Sequence, residues 1–438
     1  MSNTYQKDRR PAQPDWLPGG VAVPEQVVVS MAEIAESAKE GLLALAVGTG
    51  LQVMAAMFGE DAERLCGPEG KHNPGRAGYR HGSEAGSVTL GGRRVPVTRP
   101  RVRAADGSGE LHLPSYGLFS STEILGRLAL EKMLAGLSSR RYGAGLEPAG
   151  QAVQDQAAAT SKSAVSRRFV AATETALAEL MTRRLDDLDL VAFMVDGVHF
   201  GEHTCVVALG IGVDGVKHPL AVEEGSTENA TLVTGLVTGL RDRGLDVTRP
   251  ILAVLDGAKA LSRAVKDVFD KPLIQRCQQH KIKNVRDKLP ERLRAVAERR
   301  MRLAYHAESA LQAEGLLTEL AAELDKTHPG AAASLREGMA ETLTILRLGV
   351  PPTLARTLRS TNPIESMIEI CREHSKNVKR WRDGTMALRW CAAGMLEADH
   401  QFRRVNGHLH LQKLRAALDA HFTTNVSVAN RNEEQKAA

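Results

Sequence analysis

Two short runs in the chain end on the same pair of residues: "MVDG" places an aspartate at 196 and "VLDG" another at 256. Each follows an apolar, strand-like run, where a carboxylate is costly to bury unless a cation, a hydrogen-bond shell or a turn satisfies it. Asp-Gly is also a common turn pair, and either one alone reads as turn chemistry. Together they read differently. If their strands lie parallel and side by side, both carboxylates project at one end of a sheet and can share divalent cations, and Mg²⁺ takes such hard oxygen ligands. Glu365 is the candidate third carboxylate. It sits in the first turn of a helix that "TNPIES" opens, with Pro363 in that turn. Arg372 lies two helical turns further along the same face, so that face offers a metal ligand and a phosphate clamp. Asp196, Asp256 and Glu365 thus make a candidate two-metal site.

A second chemistry is suggested by "RCQQHKIKN", where Cys277 and His280 stand three apart, and by "EICREHSK", which repeats the spacing at Cys371 and His374. Two such pairs could supply the four N/S ligands of a closed zinc site. That site would have to form between two helices with nothing else to mark it. The second pair therefore reads as coincidence around Arg372, and the fold is expected to need no zinc.

The elements that must position these residues follow from periodicity. "VAFMVDG", "CVVALGIG" and "KHPLAVEE" are short strands separated by Gly-bearing turns, an antiparallel meander. A helix, "ENATLVTGLVTGLRDRG", leads to the strand "ILAVLDG", then the helix "AKALSRAVKDVF" and the strand "PLIQRC". Residues from 278 to about 360 are expected to be helical throughout. Upstream, "SVTL" and "RRVPV" flank Gly91-Gly92, a hairpin signal, inside a stretch holding Arg76, Arg80, Arg93, Arg94, Arg99, Arg101, Arg103 and Tyr79. A basic hairpin reads as a phosphate-contacting surface, or as an edge strand guarded by charge. "ATSKSAVSRRFVAAT" has Thr160 or Ser161 as helix cap, and its Lys162, Arg167 and Arg168 suit the recognition helix of a helix-turn-helix or a plain amphipathic helix. The apolar run at 41–58 is interrupted by Gly48, Thr49, Gly50 and Gln52, and reads as a core helix and not a membrane span. The first twenty residues read as a loose polar tail with no secretory h-region.

Bulk properties set bounds. A chain of 438 residues suggests roughly three domains. Its 43% apolar and 25% charged residues are those of a globular protein, which argues against wholesale disorder. A net charge of +5 permits a nucleic-acid partner without requiring one. Five scattered cysteines make no disulfide framework and fit the cytoplasm.

Taken in order, "GYR" with the Arg-rich β segment, "SKSAVSRR", "VDG", "LDG", "CQQH", "TNPIES" with Arg372, and "RWRDGTMALRWCAAG" resemble the mutator-type transposases of bacterial insertion sequences over nearly the whole chain. The stretch "PIESMIEICREHSK" differs from the commoner "AIES" wording without touching a carboxylate. The resemblance implies an α/β fold: a ribonuclease H-like catalytic core of strand order 3-2-1-4-5, an all-helical insertion, and an N-terminal helical and β-hairpin DNA-binding region. The corresponding segments are 1–120 (helical and basic hairpin), 121–187 (helix-turn-helix-like), 188–277 (first part of the core), 278–360 (insertion) and 361–438 (core completion with the Glu helix). It also implies that Asp196, Asp256 and Glu365 hold two Mg²⁺ ions, with Mn²⁺ as a substitute. Arg372, Lys162, Arg167, Arg168, Arg93 and Arg94 become DNA contacts, and Cys277 and His280 a structural signature closing the last core strand. The expected partners are double-stranded DNA, both terminal inverted repeats and target, and a second copy in a homodimer. No membrane is expected; the setting is the bacterial cytoplasm, at the nucleoid when DNA is bound. Two rivals stand beside it: a helix-turn-helix regulator that has lost catalysis, and a structure-selective nuclease on the same core.

Overall fold

Gly91 and Gly92 both take positive φ, 55° and 79°, the two left-handed positions that a two-residue turn needs to match the twist of its strands. They join β1 (Gly78–Leu90) to β2 (Arg93–Ala104) in antiparallel register with Leu90 opposite Arg93, and β3 (Glu110–Leu111) adds a third strand. The computed structural model describes residues 41–71, 73–225 and 230–437. The expected polar tail lies outside the described residues, as does the start of the "ENATLV" helix. The chain divides into two units, one ending at Phe169 and one beginning at Val170.

In the first unit Val88, Val95 and Val102 pack against Met54, Phe58 and Ala62 of the helix Leu42–Cys66. Asp61 of that helix is buried and satisfied by the Ser115 amide at 2.8 Å and hydroxyl at 2.6 Å. The core-helix expectation fits the second half of this helix and not its start, where Leu42 is 80% and Leu43 48% exposed. By length and composition alone the helix could cross a membrane.

The second unit holds a five-stranded sheet. β4 (Leu190–Phe200), β5 (His203–Gly212) and β6 (Lys217–Gly225) form the meander; β7 (Ile251–Leu255) runs parallel to β4 and β8 (Pro272–Arg276) parallel to β7, giving the order β6-β5-β4-β7-β8. Side chains alternate between its faces. Phe193, Val195, Ala253 and Leu255 face the helices Ala230–Asp242 and Lys259–Val268 through Val233, Leu236 and Val265. Met194, Val198, Leu252 and Val254 face the helix Asn362–Ser375 through Ile364, Met367 and Ile368. Between β8 and that helix the chain is helical from Gln278 to Leu358, with a separate core around Met301, Leu317, Leu320 and Leu335. Lys281, fully buried, donates its ammonium to the Ser334 carbonyl at 2.7 Å and to the Glu337 carbonyl, tying this helical segment together; burial lowers it to about 8.

Candidate active site

The alternation that places Met194 and Val198 on one face places Asp196 there too, and Asp256 follows Leu252 and Val254 in the same way. Both carboxylates therefore turn toward the face covered by the Glu365 helix. The β4–β7 register pairs Ala192 with Leu252 and Met194 with Val254; continued by one more alternation it sets Asp196 beside Asp256. Cys277 completes the row, since its amide donates to the Leu255 carbonyl at 2.7 Å. The Asp-Gly turn reading and the site reading coincide at 256. Gly257 has φ +106° and a Cβ there would meet Arg276 Nε at 2.1 Å, so only glycine fits. The Asp256 carboxylate accepts the Ala258 amide at 2.7 Å.

Asp196 accepts the Gly197 amide on Oδ1 at 2.8 Å. Burial pushes its carboxyl up to about 6; the Asp256 and Glu365 charges add to the rise, while the Gly197 amide and His280 oppose it. In both aspartates one oxygen is thus held by the backbone and Oδ2 makes no hydrogen bond among the described residues.

Glu365 is half-buried at the start of its helix. The Thr361 hydroxyl donates to Glu365 Oε1 at 2.5 Å and lies 3.4 Å from both Cys277 Sγ and His280 Nδ1. His280 Nδ1 is 3.9 Å from Glu365 Oε1. The neighbouring Cys277 thiol raises His280 to about 9 despite burial, with the Glu365 and Asp196 charges helping. Burial alone would raise the Cys277 thiol, but the neighbouring His280 and the Thr361 hydroxyl outweigh it and hold the thiol below its ordinary value. Among the described residues the ligand-type group whose donor atoms lie within 4.8 Å of one another is Cys277, His280 and Glu365. Cys371 stays apart from it, its thiol 3.6 Å from the Cys391 carbonyl in the core. The sequence reading missed Thr361, although its position four residues before Glu365 is the spacing at which side chains meet on one helix face.

Arg372 is exposed on the same helix and makes no ion pair among the described residues. In the first unit Lys162 and Arg167 are exposed at the start of the helix Lys162–Thr182, whose Ala164 amide donates to the Ser161 hydroxyl at 3.3 Å. Arg168 turns inward and donates to the Ala159 carbonyl at 2.6 Å. Arg93 and Arg94, expected as phosphate contacts, both bond within the protein. Arg93 is buried, donating to the Glu147 and Gly91 carbonyls, and Arg94 donates to Ser87, Thr89 and Ser120. Arg99 and Arg101 pair with Glu84 and Glu110. What the hairpin keeps on its surface is Arg80 and Arg103, beside Tyr79 with the Arg76 guanidinium 3.9 Å from its ring.

A family model described as "Transposase, Mutator family" matches residues 24–405. The chain is 31% identical over 252 residues to the transposase for insertion sequence element IS6120 of Mycolicibacterium smegmatis, covering 56% of this chain and 75% of that protein. It is 25% identical over 360 residues to the transposase for ISRM5 of Rhizobium meliloti, covering 81% and 87%. A third relative, the transposase for IST2 of Acidithiobacillus ferrooxidans, is 28% identical over 174 residues, 40% of this chain and 58% of that protein. With a match of this extent, the chain belongs to the mutator family of insertion-sequence transposases.

Proposed function

We propose that the protein binds the terminal inverted repeats of its own insertion sequence, cuts there by phosphodiester hydrolysis, and joins the freed 3′-OH to target DNA by transesterification. The observation carrying this reading is the pairing of Asp196 with Asp256 on parallel neighbouring strands, facing the helix that brings Glu365. The strand order, third-second-first-fourth-fifth in the order of the chain, supports a ribonuclease H-like core, and the helices after β8 support an all-helical insertion in it.

The donors fit a divalent cation. Asp196 is raised toward protonation by burial and by its acidic neighbours, and the uncommitted Oδ2 atoms are hard oxygen ligands of the kind Mg²⁺ takes, with Mn²⁺ as a substitute. Two ions would be shared among Asp196, Asp256 and Glu365, so the three carboxylates need not converge on one point as a zinc set does. Asp196, Asp256 and Glu365 would hold them, and ions bound there supply activation of the attacking oxygen and stabilisation of the leaving one. The chain's own part is positional: the Gly197 and Ala258 amides fix one oxygen of each aspartate, and Thr361 fixes Glu365. Lys162 and Arg167, with the Arg80 and Arg103 surface, are the candidates for holding end DNA in the first unit. Pairing two ends calls for a homodimer, acting in the bacterial cytoplasm.

The test is incubation with Mg²⁺ and duplexes taken from the DNA flanking the protein's gene. Nicking at the repeat ends followed by strand joining is expected. Binding without any cutting favours the regulator, and cutting of branched DNA without regard to terminal sequence favours the nuclease.

A further inference from the structure

The loop that follows the Glu365 helix is held at three points yet presents its charges to solvent. The Val378 amide donates to the Ser375 carbonyl at 2.9 Å, and Asp383 caps the helix Gly384–Gln401 through the Met386 amide at 2.7 Å. Between these ends Trp381 packs on Phe200 with ring centroids 4.9 Å apart and meets Trp390 edge-on at 6.3 Å. The turn after Phe200 is shaped for this contact: Gly201 has φ +64°, and a Cβ there would lie 3.0 Å from Trp381 Cδ1. Around that fixed indole, Lys379, Arg380 and Arg382 are exposed, and among the described residues none of them is in an ion pair. From Arg372 to Arg382 the chain carries five cations against one carboxylate, Glu373, which is spent on Lys376.

The location gives the charges a use. β4 runs on past the end of β7, from Asp196 to Phe200, a span of about 13 Å at strand rise. From Glu365 to Arg372 the helix covers about 10 Å. Both routes lead from the carboxylates to the same loop. At 3.4 Å of rise per nucleotide of one strand, that distance is roughly three to four nucleotides. We infer that the loop Lys379–Arg382, with Arg372, is a phosphate-binding strap that grips the cleaved DNA strand about three to four nucleotides from the scissile bond. The inference rests on the proposed DNA-cutting function. Exposed cations on a segment pinned by an aromatic anchor lose little freedom when they meet phosphates, which is what a backbone grip close to a reacting bond requires.

The experiment uses the full chain and end DNA from the flanks of its gene. The combined Lys379→Ala, Arg380→Ala and Arg382→Ala variant is expected to raise the KM for DNA about tenfold and to lower the salt slope of log KM by about two to three. Its kcat at saturating DNA should stay within about twofold, and Lys379→Arg with Arg380→Lys and Arg382→Lys should restore KM, since phosphate binding here is a matter of charge. Independently of any variant, single neutral methylphosphonate linkages are walked along the cleaved strand with the unaltered protein. A sensitive position about three to four nucleotides from the cut is expected, and it should cost the alanine variant nothing further. An alanine variant with the parental KM and salt slope, or a scan with no sensitive linkage in that window, overturns the strap. A parent that cuts no DNA at all overturns the underlying function first.

Discussion

Replacing Asp196 by Asn should make the metal-free protein more stable, although it removes a ligand of the proposed metal site. The carboxyl is pushed up to about 6 from an ordinary 3.8, mainly by burial. At low pH folded and unfolded chains both carry it protonated and it costs nothing. As pH rises toward about 6, the unfolded chain ionises it freely while the folded chain resists. Stability is therefore lost through that window and the penalty is complete above it. A difference of about two in pKa corresponds to about 3 kcal/mol. Asn keeps the oxygen that accepts the Gly197 amide and removes the charge, so a gain of about 1–3 kcal/mol is expected at pH 8 in EDTA. The assay is denaturant unfolding of parent and variant at pH 5 and pH 8, with and without Mg²⁺. The gain should be clear at pH 8 and shrink at pH 5. Added Mg²⁺ should stabilise the parent more than the variant, because only the parent offers the full ligand set. A variant that is less stable at pH 8, or a gain equal at both pH values, refutes the reasoning about this carboxylate.

Three further outcomes are expected. Glu365→Gln should abolish cleavage while keeping end-DNA binding, and Glu369→Gln, on the exposed side one turn on, should cut within about twofold of the parent, because two-metal chemistry depends on the ligand and not on its neighbour; a gel assay showing the reverse moves the third ligand to Glu369. Thr361→Val should lower kcat about tenfold and raise the Mg²⁺ concentration needed for half-maximal cutting, with Thr361→Ser recovering most of both, since the hydroxyl orients Glu365; an unchanged Mg²⁺ requirement would leave Thr361 a packing residue only. Lys162→Ala with Arg167→Ala should weaken end-DNA binding without changing the melting point, whereas Arg94→Ala should cost about 2–3 kcal/mol of stability by orphaning the groups it bonds; thermal melts and mobility shifts separate the two.

Much of this was legible because strands and helices announce themselves by period. The apolar runs before Asp196 and Asp256 are unbroken, as strands covered on both faces must be, and the Pro363 helix start is local chemistry. The hairpin turn at Gly91-Gly92 was readable for the same reason. Residue roles that depend on what a side chain meets were not. Arg93 and Arg94 look in the sequence like any other basic pair. Only the fold shows their guanidiniums satisfied by backbone carbonyls of the Gly91 and Ser87 region and of Glu147 and Ser120. Thr361 was hidden for the opposite reason: a threonine before a helix reads as a cap, and its neighbours Cys277 and His280 arrive from a distant segment.

That long-range meeting has a consequence for how the chain behaves while it is being made. Thr361 and Cys277 are 84 positions apart, and the whole helical segment between them must be synthesised before Glu365 can be delivered to the two aspartates. A nascent or prematurely terminated chain ending within that segment already carries the Lys162 and Arg167 surface and both aspartates, and it has no third ligand. If that surface holds end DNA as proposed, such a product offers the grip without the complete ligand set. Under the proposed function, loss of the last part of the message would turn a DNA-cutting enzyme into a competitor of the complete one.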